Sequence, residues 1–190
     1  MSVNLQGESI LPTAFGRSDA FRILLNSSVE SKTREGAAHF SDCGLYRYLL
    51  TREFGDDSTC LFVMLNPSTA DAEQDDPTIR RCISFAKREG FGRLEVVNLY
   101  AFRSSSPSIL FVAIDPVGPA NDHEIEIALD RADSVVVAWG NHAEQERVNK
   151  VVGLIKRSGK VSNCFGLTKL GQPRHPLYLK ADADLVPLSS

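Results

Sequence analysis

Apolar residues in this chain come mostly in short unbroken stretches, and turn formers separate one stretch from the next. Cys60-Leu61-Phe62-Val63-Met64-Leu65 is the clearest, and a run of that kind suits a central strand covered on both faces. Leu94 to Tyr100 and Ser134 to Trp139 read the same way, and Asn163 to Leu167 gives a fourth strand. Leu45 to Phe54, LYRYLLTREF, instead alternates large apolar residues with charged or polar ones, which predicts a half-buried edge strand closed by Gly55-Asp56-Asp57. Between these stretches the period changes to helical. Ile79, Cys82, Ile83, Phe85 and Ala86 recur at helix spacing from Pro77 to about Glu89, with Asp76 as the capping side chain, proline in the first turn and Gly90 as the stop. Asn121 or Asp122 is expected to cap a second helix, and a third should run from about His142 to Arg157 on Val148, Val151, Val152 and Ile155.

Strands that alternate with helices imply right-handed βαβ units. The expected fold class is therefore α/β, a three-layer sandwich with a mainly parallel central sheet. Residues 1–40 mix polar and short apolar segments and read as an N-terminal arm or edge hairpin, leaving 41–190 as a single α/β domain.

Composition narrows the function classes. A net charge of −3 is unlike the basic footprint that phosphate neutralisation leaves on tight nucleic-acid binders, although a local basic patch can coexist with it. No stretch reaches the roughly 18 uncharged apolar residues of a membrane span. The start, MSVNLQGES, lacks the basic and apolar regions of a signal peptide, so a cytoplasmic protein with no membrane partner is expected. Cys43, Cys60, Cys82 and Cys164 form no C-x-x-C pair and read as buried free thiols.

Ligands of open α/β sheets bind outside the carboxyl ends of the strands. Four such ends carry unusual polar residues here: Asn66 to Asp71, Asn98 to Arg103, Trp139 to His142, and Gly171 to Pro176. An amide offers a donor and an acceptor together and an aromatic ring offers a stacking face, a combination that suits a flat, polar, weakly charged ligand such as a nucleobase.

Three of these segments resemble the uracil-DNA glycosylase superfamily in chain order: a buried strand ending in Asn66-Pro67, the strand Val96-Val97-Asn98-Leu99, and the late His175-Pro176. Val137-Ala138-Trp139-Gly140-Asn141-His142-Ala143 resembles a strand and helix start of its classical branch. Over its whole length the chain is also similar to the DUF1643 proteins of bacteria and phages. The segments that carry this likeness are Met64-Leu65-Asn66-Pro67-Ser68-Thr69-Ala70-Asp71, Asp76-Pro77-Thr78-Ile79-Arg80-Arg81 and Gly171-Gln172-Pro173-Arg174-His175-Pro176-Leu177-Tyr178.

The glycosylase resemblance implies a uracil-DNA-glycosylase-like fold and cleavage or exchange of an N-glycosidic bond without a metal or organic cofactor. It implies that Asn66 positions a water and that His175 stabilises charge on the departing base, the two candidate catalytic residues. Asn98 would read the base edge, with Pro67, Ser68, Tyr100 and Arg174 as further substrate-binding candidates; Arg80, Arg81 and Arg103 flank the expected pocket and are the candidates for phosphate contact. The partner would be a nucleobase, a nucleotide or DNA carrying an unusual base. Asn66 departs from the carboxylate of many relatives, and an amide orients water only by hydrogen bonding. A nucleobase-binding module without catalysis is therefore the alternative. Trp139 reads as core, and Asp71, Glu73, Asp75 and Asp76 read as a solvated loop rather than a metal site.

Overall fold

The computed structural model describes residues 35–188 apart from 57 and 69. The stretch Thr59–Met64, apolar from Cys60 onward, becomes β3, buried at every position, in the middle of a seven-stranded sheet of order β1-β2-β4-β3-β5-β6-β7. Its companions are β1 (Glu35–Phe40), β2 (Arg47–Glu53), β4 (Arg93–Asn98), β5 (Ser134–Val137), β6 (Ser162–Cys164) and β7 (Val186–Pro187). Among the described residues four helices complete the mixed α/β fold: α1 (Pro77–Arg88), the one-turn α2 (Pro107–Leu110), α3 (Asn121–Arg131) and α4 (Gln145–Arg157).

Alternate residues of one buried strand serve two cores. Leu61 and Val63 face Ile125 and Leu129 of α3 and Val151 and Leu154 of α4. Cys60, Phe62 and Met64 face Ile79, Cys82 and Phe85 of α1. Helices thus cover both faces of the sheet, which is why β3 is apolar from Cys60 to Met64.

The sheet is mixed, not mainly parallel as expected. β3 runs parallel to β4 and β5, and β5 to β6. β1 with β2, β2 with β4, and β6 with β7 pair antiparallel. β2 was expected at the edge but lies between β1 and β4, and its two arginines, Arg47 and Arg52, are buried. Arg52 is held by Asp75 (2.7 Å) and by the carbonyl of Thr51 (2.8 Å), so charge in this strand does not mark a solvent face. The true edge, β1, falls in the segment read as an arm or hairpin; residues 1–34 of that segment lie outside the described residues.

Asp76 caps α1 as expected, its Oδ1 accepting from the Ile79 N–H at 2.8 Å. The second long helix departs from expectation: Ala120 occupies the cap position without a side-chain bond, and Asn121 is the first helical residue, turned inward and buried. The last long helix starts at Gln145 rather than His142, because the chain first makes a turn at Gly140, whose φ of 73° suits glycine. Three cysteines are buried and Cys43 is exposed. Burial pushes the Cys60 thiol up to about 12. No helix among the described residues is long and apolar enough to cross a membrane.

Candidate functional site

The carboxyl ends of β3 and β4 and the segment after β5 open into a cavity of about 730 Å³. Of the residues singled out from sequence, Asn66, Ser68, Asn98, Arg174 and His175 line it. Pro67, Arg80, Tyr100 and Arg103 do not. Tyr100 packs in the core on the α3 and α4 side, where its hydroxyl accepts from the Glu144 N–H at 3.2 Å. Arg103 lies over the Phe40 ring at 4.8 Å and donates to the Gly44 carbonyl at 3.2 Å. Arg80 turns back onto the Asp75 carbonyl.

Asn66 ends the central strand and is fastened by its own amide nitrogen. Nδ2 donates to the carbonyls of Ser104 (2.7 Å) and Pro67 (3.0 Å), and the Ser104 N–H returns a bond to the Pro67 carbonyl at 2.9 Å. Its Nδ2 is therefore committed to the backbone, and its Oδ1 is the atom left to accept. Asn98 differs. It ends β4 with 2% of its surface exposed, and its Nδ2 has no acceptor among the described residues. A buried amide donor without a partner costs about 1–3 kcal/mol, a cost that an acceptor brought to it would remove.

Arg47 is a lining residue that the sequence reading missed. β1 and β2 pair His39 with Leu49 but Phe40 with Arg47, which leaves Tyr48 as the extra residue of a β-bulge. Such a bulge breaks the strict alternation of faces and re-aims the side chain beside it. Tyr48 accordingly packs near His39, and Arg47 reaches the cavity with Asn98 and Val96. Its Nη1 donates to the Ala70 carbonyl at 2.5 Å, while its buried Nε has no acceptor among the described residues. Desolvation lowers its pKa to about 10, with Asp76 opposing the shift, so the guanidinium stays charged at neutral pH. The available signal was an arginine set inside the apolar LYRYLL segment, where alternation alone placed it in solvent.

His175 begins a short 3₁₀ turn, Pro176–Tyr178, and its Nδ1 accepts from the Leu177 N–H at 3.3 Å. In the neutral ring the proton then sits on Nε2. Burial lowers its pKa below the ordinary histidine value, and Asp76 pulls in the opposite direction. Asp76 lines the cavity as well as capping α1. The loop carrying His175 is tied to the β5 loop: the Gly140 N–H donates to the Pro173 carbonyl at 2.9 Å, and Thr168 Oγ1 donates to Asn141 Oδ1 at 2.7 Å. Trp139, the one tryptophan, lines the cavity with its indole N–H already given to Gln172 at 2.8 Å.

The acidic loop before α1 is consumed locally. Asp71 Oδ1 accepts from the Glu73 and Gln74 N–H groups, at 2.9 and 2.8 Å, which holds its carboxyl below the usual range. Among the described residues no three histidine, cysteine, aspartate or glutamate side chains gather as a metal site.

No curated protein and no solved structure matches the chain. The model of one family, described as a protein of unknown function (DUF1643), matches residues 47–177, a span that begins at Arg47 and takes in Asn66, Asp76, Asn98 and His175. That match covers more than half of the sequence, and the chain belongs to the DUF1643 family.

Proposed function

We propose that this protein is a cytoplasmic nucleobase-recognising enzyme of the uracil-DNA-glycosylase type, with a sheet parallel at its centre, which hydrolyses an N-glycosidic bond in DNA or a nucleotide. The observation that carries the reading is the unpartnered Nδ2 of Asn98, buried in the wall of a cavity that His175 also lines. A base carbonyl supplies the missing acceptor. As the bond between C1′ and the base nitrogen breaks, its electron pair goes to the base, and the Nε2–H of His175 donates to the oxygen on which charge collects. A neutral imidazole is the form that burial favours. Asn66 Oδ1 accepts from a water whose oxygen bonds to C1′; the departing base takes up the proton that this water loses. Asp76 supplies a carboxylate to the cavity wall.

A second reading, a nucleobase-binding module, is favoured by one specific feature. Asn66 carries no charge, and its amide is already bound to the Pro67 and Ser104 carbonyls. The two readings separate on products. Single- and double-stranded oligonucleotides and free nucleotides carrying normal, deaminated or oxidised bases should release free base with wild type, and release should fall about 100-fold or more in His175→Ala. Saturable binding without release from any substrate would leave the binding module standing.

A further inference from the structure

The wall of the cavity holds more donors than a single amide. The guanidinium of Arg47 spends Nη1 on the Ala70 carbonyl, while Nε is buried without an acceptor and Nη2 makes no bond to any described residue. Nε and Nη2 share one edge of the guanidinium plane and present two parallel N–H groups, the fork that binds two adjacent acceptors at once. Asn98 adds a third unsatisfied donor on the same wall. Both side chains are only 2% exposed.

The charge around this fork selects among acceptors. Asp76 lines the same cavity, lies within electrostatic reach of Arg47, and uses only Oδ1 for the helix cap. Its other oxygen is an acceptor beside the fork. A phosphate or carboxylate would gain Arg47 but meet Asp76, whereas a neutral ring with an acceptor pair flanked by an N–H satisfies both.

Resting on the nucleobase reading above, we infer that Arg47, Asn98 and Asp76 form a specificity subsite for bases that present two adjacent acceptors next to a donor. Two kinds of base have that edge. The 6-oxopurines offer O6 and N7 beside N1–H, and cytosine offers O2 and N3 beside its amino group. Uracil and thymine place an N–H between their carbonyls, and adenine separates its ring acceptors with an amino group. These bases leave part of the fork unpaired, and an unpaired buried donor is what makes such sites discriminate.

Calorimetric titration of the full chain with guanosine, inosine, cytidine, uridine, thymidine and adenosine tests this. Either guanosine with inosine, or cytidine, should bind about 5- to 150-fold tighter than uridine, thymidine and adenosine, the span expected of one bidentate pair. The favoured arm identifies the source. Deleting one acceptor from that ligand, as 7-deazaguanosine or 3-deazacytidine, should remove most of the advantage in wild-type protein, without reliance on any variant's folding. Arg47→Lys should keep the charge and lose the discrimination. Equal or tighter binding of uridine, thymidine or adenosine would overturn the subsite and leave nucleobase recognition intact. Displacement of every nucleoside by inorganic phosphate would overturn it in favour of an anion site. Absence of binding by all six nucleosides would overturn the subsite, while the nucleobase reading stands or falls on base release from oligonucleotides and nucleotides.

Discussion

The side chain of Asn121 holds the backbone that presents Asn98. Its Nδ2 donates to the carbonyls of Asn98 and Leu99, both at 3.0 Å, and Arg147 Nε adds a second bond to the Leu99 carbonyl at 2.5 Å. The first residue of α3 and a residue of α4 thus fix the end of β4 from the opposite side of the sheet to the cavity. Asn121→Ala removes two hydrogen bonds and takes this donor from the Asn98 carbonyl, while the Leu99 carbonyl keeps Arg147. Stability should fall by about 2–3 kcal/mol, read as a lower urea midpoint with unchanged slope.

Restoring a carboxylate at the end of the central strand should not create a better enzyme. Asn66 Nδ2 donates to two carbonyl oxygens, and in Asn66→Asp both would face a carboxylate oxygen instead. A loss of about 1–3 kcal/mol is expected, visible as a lower thermal midpoint, and base release should not rise above wild type.

His175 gives stability a pH dependence of definite sign. Its folded pKa lies below the unfolded value of 6.5, chiefly through burial, so the unfolded chain binds more protons in the interval between the two. Stability therefore rises with pH across that interval. It is fully present above 6.5 and is lost as pH falls through the folded pKa. Urea midpoints between pH 7 and pH 5 should drop in wild type and drop less in His175→Gln.

Arg52 binds the 71–75 loop to β2 through Asp75 Oδ1 (2.7 Å) and the Asp71 carbonyl (2.5 Å). Arg52→Met keeps the apolar stem but breaks a buried ion pair, at a cost of about 3 kcal/mol. Amide hydrogen exchange should speed up across the 70–76 loop before it does so in β3. Unchanged exchange there would show that the loop stands without this arginine.

What could be read from sequence was what local pattern controls. The unbroken apolar run at Cys60 to Leu65 marked the central strand, and the Asp76-Pro77 start marked α1, because burial on two faces and capping are short-range properties. Asn66, Asn98 and His175 were legible as polar residues at strand ends and in a late loop. Arg47 was not, since its place depends on a bulge opposite His39 and Phe40, and pairing register is set by the partner strand. Tyr100 was misplaced for a related reason: one residue beyond the strand end decides which face of the sheet a ring enters, and its hydroxyl meets the Glu144 N–H on the far side. Asp76 was seen as a helix cap, and nothing local to it disclosed that the same carboxylate lines the cavity.

If the buried Nδ2 of Asn98 takes its acceptor from a nucleobase, its own resonance reports the contact. In a ¹H–¹⁵N spectrum the Asn98 side-chain amide pair is identified by its loss in Asn98→Asp and followed as nucleosides are added. One of the two protons should move downfield on saturation, with the Trp139 indole signal held near its free position by Gln172. An Asn98 amide pair that stays fixed while a nucleoside saturates the protein would show that the base finds its donors elsewhere.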